Sequence, residues 1–433
     1  MKKLQSRVGE VYIAILLLIP TILWFISGNN QNLTEGSKLI PRLGELFGLL
    51  GLVLFSINII LATRLAFIEK IFVGLNNVYK KHSFLGQLAF VLLLFHPLFL
   101  LQRYSFSAKD SIDFLFLSDV WARNFGILSL WLLILLIVLT IFLRPKYHIW
   151  KITHQFLGVS LFLGALHAYL IPGYIMNNLV LKLYVLAISV LGILAFLYKT
   201  VFGRYLVKKH QYIVKKVTPL NNQVVEVTLA PEEDPLVFNP GQFIFISFKQ
   251  EGLTESHPFS ISSGPKDSNL QVTIKKLGDF TNKLGKELKE GTKAEIEGPY
   301  GVFTYSKIEN TKQVWIAGGI GITPFVSFAK TLIKNPNNNL NVKLFYSVRE
   351  EPEAVYLELF KDLESKLKGF SVIPFYSSKL GYISADYIKN QVTDFKERDF
   401  FICAPPKMIE ALRNDLIRKG INKSKIHSEE FNF

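Results

Sequence analysis

Six apolar segments, each about long enough to cross a bilayer, crowd into roughly the first 200 residues of this chain. At 1.5 Å per residue, around 20 helical residues span a hydrocarbon core of about 30 Å. Runs near 11–27, 43–63, 82–102, 125–143, 152–171 and 179–198 meet that requirement. In lipid a single segment must satisfy its own backbone hydrogen bonds, so these runs are predicted to be helices. From about Tyr205 the long runs give way to short alternating stretches broken by Pro, Gly and Asn. The 433 residues are therefore expected to divide between two solvents, lipid first and water second.

The loops between the segments supply an orientation. Lys2, Lys3 and Arg7 precede the first; Arg64, Lys70, Lys80 and Lys81 lie between the second and third; Arg144, Lys146 and Lys151 lie between the fourth and fifth; Lys199, Arg204, Lys208 and Lys209 follow the sixth. The loop from Ala168 to Asn178 has no charge, and the other two intervening loops balance their cations with Asp and Glu. Cytoplasmic loops carry the Lys and Arg excess, which places both termini and the soluble half in the cytoplasm of a multi-pass protein of the cell membrane. The first run closes on Trp24, Phe25 and Ile26 where a signal peptide would carry small residues, so it is expected to be a retained helix. A net charge of +15 suits anionic lipid beside those loops. Nucleic acid is excluded as a partner because no basic run is interleaved with aromatics. With Cys403 the only cysteine, neither an intramolecular disulfide nor a thiolate zinc site can form.

Ionisable groups are rare inside the apolar segments, and a polar group in lipid is costly without a partner or a purpose. His82 and His96 share the third segment, 14 residues apart, and His154 and His167 share the fifth, 13 apart. Each pair is separated by about 20 Å along its helix. Two levels of the membrane are thereby marked, and imidazoles facing one another at each level suit a six-coordinate haem iron. A spacing of 13 leaves about 140° of mismatch on a straight helix, so bending or tilt is required. A single such histidine is more simply a buried side chain hydrogen-bonded to its neighbours; four at two matched depths favour ligation. His148, in a loop, and His210 and His427, in the soluble half, are expected to be ordinary surface residues.

In the soluble half, runs such as 224–229 and 243–248 predict a small antiparallel barrel over 205–309. After it, apolar runs at 313–317, 342–347, 371–376 and 399–403 alternate with helix-like segments such as 353–367 and 406–418, which predicts a parallel sheet over 310–433. Three motifs carry chemistry. His257, Pro258, Phe259 and Ser260 end a strand with an aromatic beside a hydroxyl, a pairing that packs on a flavin ring and bonds its nitrogen. Gly278, Asp279, Phe280 and Thr281 open a helix whose amides suit a pyrophosphate. Gly318, Gly319, Gly321, Thr323 and Pro324 form a strand-to-helix turn where backbone can approach a phosphate, although not in the Gly-x-Gly-x-x-Gly spacing. Each also has a plainer explanation as a strand end, a helix cap or a turn.

These residues together resemble the NADPH oxidase and ferric reductase superfamily, most closely its compact prokaryotic members, over nearly the whole chain. The resemblance implies a six-helix transmembrane haem domain (1–204) followed by a β-barrel FAD domain (205–309) and an α/β NAD(P) domain (310–433). It makes His82, His96, His154 and His167 ligands of two b-type haems, and gives the three motifs to FAD, its pyrophosphate and the nicotinamide nucleotide. Cys403, Ala404, Pro405 and Pro406 resemble the family's Cys-Gly-x-Pro element near the nicotinamide, with alanine for glycine. Phe433 resembles the terminal aromatic that covers the flavin ring, and Arg42 an arginine near the outer haem.

The implied path runs from cytosolic NAD(P)H through FAD and two haems to an acceptor on the far side. NADPH is favoured over NADH because Ser347 and Arg349 follow a strand where a 2′-phosphate would be met by hydroxyl and guanidinium. Oxygen, giving superoxide, is the first acceptor; a ferric chelate is the alternative, since Leu100 stands four residues after His96 where animal oxidases carry another histidine. A third reading makes the helices an anchor or a cytochrome subunit for an unseen partner. No calcium-binding loop or SH3 ligand is evident, so constitutive activity without an obligate protein partner is expected.

Overall fold

The structure, a computed structural model, describes residues 7–27, 36–104, 108–143, 145, 147–172, 178–337 and 339–430. Contacts divide it into two units, Met1–Val207 and Lys208–Phe433. Among the described residues of the first, six helices are long and apolar enough to cross a membrane: α1 (Val8–Ile26), α2 (Leu39–Leu61), α3 (Leu75–Leu100), α4 (Trp121–Leu143), α5 (Ile149–Leu170) and α6 (Leu179–Val201). The shortest, at 19 residues, reaches about 28 Å, close to the hydrocarbon thickness. Many large apolar side chains, Leu135, Phe142, Leu183 and Leu194 among them, stay exposed, while Ser56, Asn58, Ser160 and Ser189 are buried. That inversion suits a lipid solvent, in which small polar residues hold helices together. α2 packs along α3 and α4 along α5. Ser129 Oγ donates to the Ser160 carbonyl at 2.7 Å and Ser160 Oγ to the Ser129 carbonyl at 2.9 Å, tying α4 to α5.

Three of these helices are irregular, α6 through the π-helical turn Leu197–Val201 that ends it. α4 ends in a π-helical turn at Leu139–Leu143. The helix that carries α5 begins two residues earlier and consists of two pieces, Tyr147–Gln155 and Leu157–Leu170, which meet at Phe156. There the Phe156 amide bonds to the Thr153 carbonyl at 3.1 Å and the Val159 amide to the Phe156 carbonyl at 2.9 Å, steps of three residues rather than four. Such turns rotate more per residue than an α-helix. His154 and His167 lie on opposite sides of this break, so the mismatch expected on one straight helix does not apply. His148 belongs to the first piece and not to a loop.

The second unit opens with β1 (His210–Pro219), β2 (Val224–Pro231), β3 (Phe243–Phe248), β4 (His257–Ser260), β5 (Leu270–Lys275) and β6 (Lys293–Tyr300). They form one antiparallel sheet in the order β4-β3-β6-β1-β2-β5. A bridge between Ile261 and Val272 joins its two edges, so the sheet curls into a nearly closed barrel. Val225, Val227 and Leu229 of β2 and Ile244, Ile246 and Phe248 of β3 fill the interior at alternate positions. Helix α7 (Asp279–Glu287) follows β5.

A five-stranded parallel sheet completes the unit, with β7 (Lys312–Gly318), β8 (Asn341–Val348), β9 (Phe370–Tyr376), β10 (Asp399–Cys403) and β11 (Ile426–Glu429) in the order β11-β10-β7-β8-β9. Helices α8 (Thr323–Lys334), α9 (Leu357–Lys366), α10 (Ala385–Gln391) and α11 (Pro406–Arg418) pack around it. Strands covered on both faces read as unbroken apolar runs, and β7 and β10 are buried almost end to end. Strand β11 pairs Ile426 through Glu429 with Phe400 through Cys403. His427 is therefore not a free surface residue: its Nε2 lies 2.8 Å from Asp399 Oδ1.

Candidate functional site

The four membrane histidines meet in two pairs. The rings of His82 and His154 are 6.1 Å apart centre to centre, and those of His96 and His167 are 6.3 Å apart. Three of the rings are held by main-chain carbonyls of the neighbouring helices. His82 Nδ1 is 3.0 Å from the Asn58 oxygen and His96 Nδ1 is 2.7 Å from that of Gly44, both on α2; His167 Nδ1 is 2.8 Å from the Ala122 oxygen on α4. A carbonyl only accepts, so each Nδ1 bears the proton and donates it, which makes Nε2 the basic nitrogen of the ring. His154 Nδ1 has instead the Thr140 hydroxyl at 3.5 Å, and the Trp150 ring stacks on its face at 5.1 Å.

A metal held between two imidazoles needs about 2 Å to each nitrogen and roughly 1 Å more to each ring centre, or about 6 Å between centres. Both pairs fit that dimension, and in three of the four rings the basic nitrogen is Nε2. The His96–His167 pair also needs room beside it. A Cβ at Gly48 would lie 2.5 Å from His96 Nδ1, and one at Gly126 would lie 2.8 Å from His167 Nδ1, so only glycine lets these rings rest against α2 and α4. Sequence reasoning missed both glycines, although the spacing of Gly44, Gly48 and Gly51 signals close helix approach. Arg42 precedes Gly44 by two residues and is only 7% exposed. Its side chain is therefore covered by other protein atoms.

In the second unit the first two motifs converge. The His257 ring stacks on Phe280 with centres 3.8 Å apart, which joins β4 to the start of α7. Ser260 is buried, Pro258 pairs with Phe245, and Phe259 packs partly against the barrel core. Thr281 Oγ1 accepts from the amides of Leu277 at 2.9 Å and Gly278 at 3.0 Å, so its hydroxyl shapes the turn. The amides of Asp279, Phe280 and Thr281 begin a helix and have no carbonyl four residues back to serve. Apart from Gly278 itself and its two chain neighbours, nothing lies within 4 Å of where a Gly278 Cβ would stand.

The third motif meets the cysteine element. From β7 the chain moves outward to β8 and β9 before returning on the other side to β10, and such reversals in α/β sheets open a crevice beyond the strands' carboxyl ends. Gly318–Ile322 turns into α8 at that place, with Pro324 in the first turn and Thr323 Oγ1 donating to the Ile320 carbonyl at 3.1 Å. A Cβ at Gly318 would lie 2.8 Å from Ala404 Cβ and 3.0 Å from Pro405 Cδ; one at Gly321 would lie 2.1 Å from the Cys403 carbonyl oxygen. Gly319 has φ +55°, with open space where a side chain would go. Ser347 stands opposite Gly318 in the register of β7 and β8 and is buried, whereas Arg349 is exposed. The amide of Ser378 donates to the Arg349 carbonyl at 3.1 Å, which brings Lys379 to the same edge, a cation the sequence pattern does not single out. Phe433 lies outside the described residues.

Cys403 is 1% exposed, and burial, with the Glu429 charge behind it, pushes its thiol well above the ordinary range. The thiolate is the nucleophile, so a raised thiol is unreactive at neutral and mildly basic pH. Native protein at pH 8 is expected to take up no iodoacetamide during a time that fully labels the guanidinium-unfolded chain, as read by intact mass. Equal labelling of both forms would contradict this.

Three family models match. Residues 47–165 match the ferric reductase like transmembrane component, 210–313 an FAD-binding domain and 315–414 an oxidoreductase NAD-binding domain. Among curated proteins the chain is similar to the glycine betaine monooxygenase reductase subunit of Pseudomonas aeruginosa, 28% identical over 206 residues, covering 45% of this chain and 56% of that protein. It is also similar to the anthranilate 1,2-dioxygenase electron transfer component of Acinetobacter baylyi, 30% identical over 45% of this chain and 59% of that one. The chain thus spans little more than half the length of these relatives. Among solved structures, the flavohem-like FAD/NAD binding domain of nitric oxide dioxygenase from Vibrio cholerae aligns with a TM-score of 0.45 at 22% identity, over 51% of this chain and 98% of that one. A ferric-reductase-like transmembrane component followed by FAD-binding and NAD-binding oxidoreductase domains is the architecture of the NADPH oxidase and ferric reductase superfamily, to which this chain belongs.

Proposed function

We propose that this protein carries electrons from cytosolic NADPH through FAD and two b-type haems to oxygen on the far side of the membrane, releasing superoxide. The observation that carries the reading is the pair of facing imidazole sets, 6.1 and 6.3 Å apart, at two levels of one apolar bundle. Bound flavin supplies the conversion of a hydride into single electrons, and bound haem the relay of those electrons. The chain's own residues position these groups. His82 and His154 would hold one iron and His96 and His167 the other, and the carbonyls of Asn58, Gly44 and Ala122 accept from Nδ1 of three rings, so that Nε2 is their ligand nitrogen.

In the second unit, Ser260 and Phe259 take the flavin ring, and the amides at the start of α7 take its pyrophosphate. The turn at Gly318–Gly321 takes the nucleotide phosphates. Ser347 and Arg349 meet the 2′-phosphate, which favours NADPH. The neutral Cys403 thiol borders the nicotinamide without ionising, and Phe433 covers the flavin until the nicotinamide displaces it. Arg42, buried two residues from the carbonyl that holds His96, puts a positive charge where an anionic product or propionate would be stabilised. The cation-rich loops argue for a cytoplasmic second unit.

A ferric chelate is the second acceptor to weigh, favoured by the match of residues 47–165 to ferric reductases and by Leu100. One experiment separates the readings. Purified protein with FAD is titrated under nitrogen with NADPH, and separately with NADH, while the haem bands are followed; oxygen or ferric chelate is then admitted. Haem reduction by NADPH, followed by dye reduction sensitive to superoxide dismutase, is expected. Reoxidation by the chelate alone would make the protein a metal reductase. A reduced spectrum without a b-type signal would leave the helices as an anchor, and equal efficiency of both coenzymes would remove the role given to Arg349.

A further inference from the structure

The four histidines are not held alike. His82, His96 and His167 each direct Nδ1 at a main-chain carbonyl between 2.7 and 3.0 Å away. No side-chain substitution deletes such an acceptor. His154 alone has a side chain in that position, Thr140 Oγ1, at the longer distance of 3.5 Å. Thr140 stands in the π-helical turn Leu139–Leu143 that ends α4. A π turn widens the helix by one residue and disturbs the regular ladder of carbonyls, and such turns recur at functional positions.

The hydroxyl's own bonding fixes the direction of the contact. Thr140 Oγ1 donates its one proton to the Leu136 carbonyl at 2.8 Å. What it offers His154 is then a lone pair, so Nδ1 is the donor and Nε2 is the free nitrogen, the same tautomer the three carbonyls impose. Trp150, one helical turn before His154, stacks on the ring with planes 25° apart and limits its tilt. Rotation of His154 about its own axis is left to Thr140.

We infer that Thr140 is the positioning residue of the inner haem site: its hydroxyl accepts the Nδ1 proton of His154 and thereby sets that ligand's orientation and basicity. The inference rests on the reading of His82 and His154 as a haem pair. An acceptor hydrogen-bonded to the far nitrogen of a ligating imidazole raises its electron density, and a more basic ligand favours ferric over ferrous iron. Because the acceptor is a long-range hydroxyl and not a carbonyl, His154 is the least basic of the four ligands, and its strength depends on one replaceable side chain.

The test is a redox titration of purified full-length protein, followed by optical spectroscopy and by low-temperature electron paramagnetic resonance. Thr140→Val keeps the shape and removes the acceptor. One of the two midpoint potentials is expected to rise, increasing the reduced-to-oxidised ratio of that haem about threefold at fixed potential, or about 28 mV at 59 mV per tenfold. The other midpoint is expected to stay, and Thr140→Ser to restore both the potential and the low-spin signal. Unchanged midpoints in the valine variant would overturn the inference, as would equal movement of both haems or failure of serine to restore. If the valine variant is recovered without haem, Thr140→Ala is measured in its place and judged by the same outcomes. A wild-type protein lacking any six-coordinate low-spin spectrum would instead overturn the haem reading itself, so the two failures are distinguishable.

Discussion

Replacing His82 by leucine is expected to halve the haem content, from two per chain to one by pyridine haemochrome, and to stop electron flow to the outer acceptor. The partner ring, His154, keeps the long contact to Thr140 and the stacked Trp150 ring, so the iron would lose one of its two strong ligands and retain the more weakly held one. Outer-side reduction should fall at least about a hundredfold, since loss of a group that merely holds a ligand already costs about 10 to 100-fold in metal sites. NADPH-driven reduction of a soluble dye that accepts from the flavin should remain within about twofold, because the second unit has its own barrel and sheet, with their own cores. His96→Leu is expected to give the same halved content but to leave the remaining haem reducible by NADPH. That asymmetry orders the two sites along the path. His210→Leu is the control: His210 begins β1 in the second unit, far in sequence from either pair, and its loss should leave the haem spectrum intact. Full haem content in both the His82 and His96 variants would refute the ligand assignment.

What the sequence makes legible here follows from the range of the interaction involved. Spans and their alternating charges depend on local length and composition, and six helices form close to the predicted runs. The histidine quartet was legible because an imidazole in lipid is rare enough to need a reason. The break at Phe156 was not, since no proline marks it and the apolar run continues through Phe156 and Leu157. Thr140 lies 14 residues from His154, and nothing in a run of Leu, Thr, Ile and Phe distinguishes a threonine that faces a ring from one that bonds only its own helix. Strand β11 is four residues long with three polar members, and it forms only because β10 offers it an open edge. The same limit hides the crevice: that β10 returns beside β7 after 80 residues is a matter of strand order, which local pattern does not encode.

The nucleotide turn gives the second large effect, because its glycines are required for different reasons. Gly321 is a matter of space. Its Cβ would stand 2.1 Å from the carbonyl oxygen of Cys403 and 3.0 Å from the amide of Ala404, both backbone atoms of the neighbouring strand end, so nothing flexible is there to yield. Gly321→Ala must separate the turn from β10, closing or skewing the crevice into which both project. Overpacking of this kind costs about 1–3 kcal/mol or more. Hydride transfer from NADPH is expected to fall at least about a hundredfold, since an error near 1 Å at a reacting centre has that cost. Gly319 is a matter of backbone and approach. Its φ of +55° costs an alanine about 1–2 kcal/mol, yet no atom opposes the new methyl. The open space beside it is where a phosphate would come, so Gly319→Ala should raise the KM for NADPH severalfold while kcat changes little. Stopped-flow reduction of the bound flavin measures both variants, with haem content and thermal midpoint as checks on folding. A Gly321→Ala protein that folds and reduces its flavin at the wild-type rate would remove the nucleotide from this turn, however well the four histidines behave.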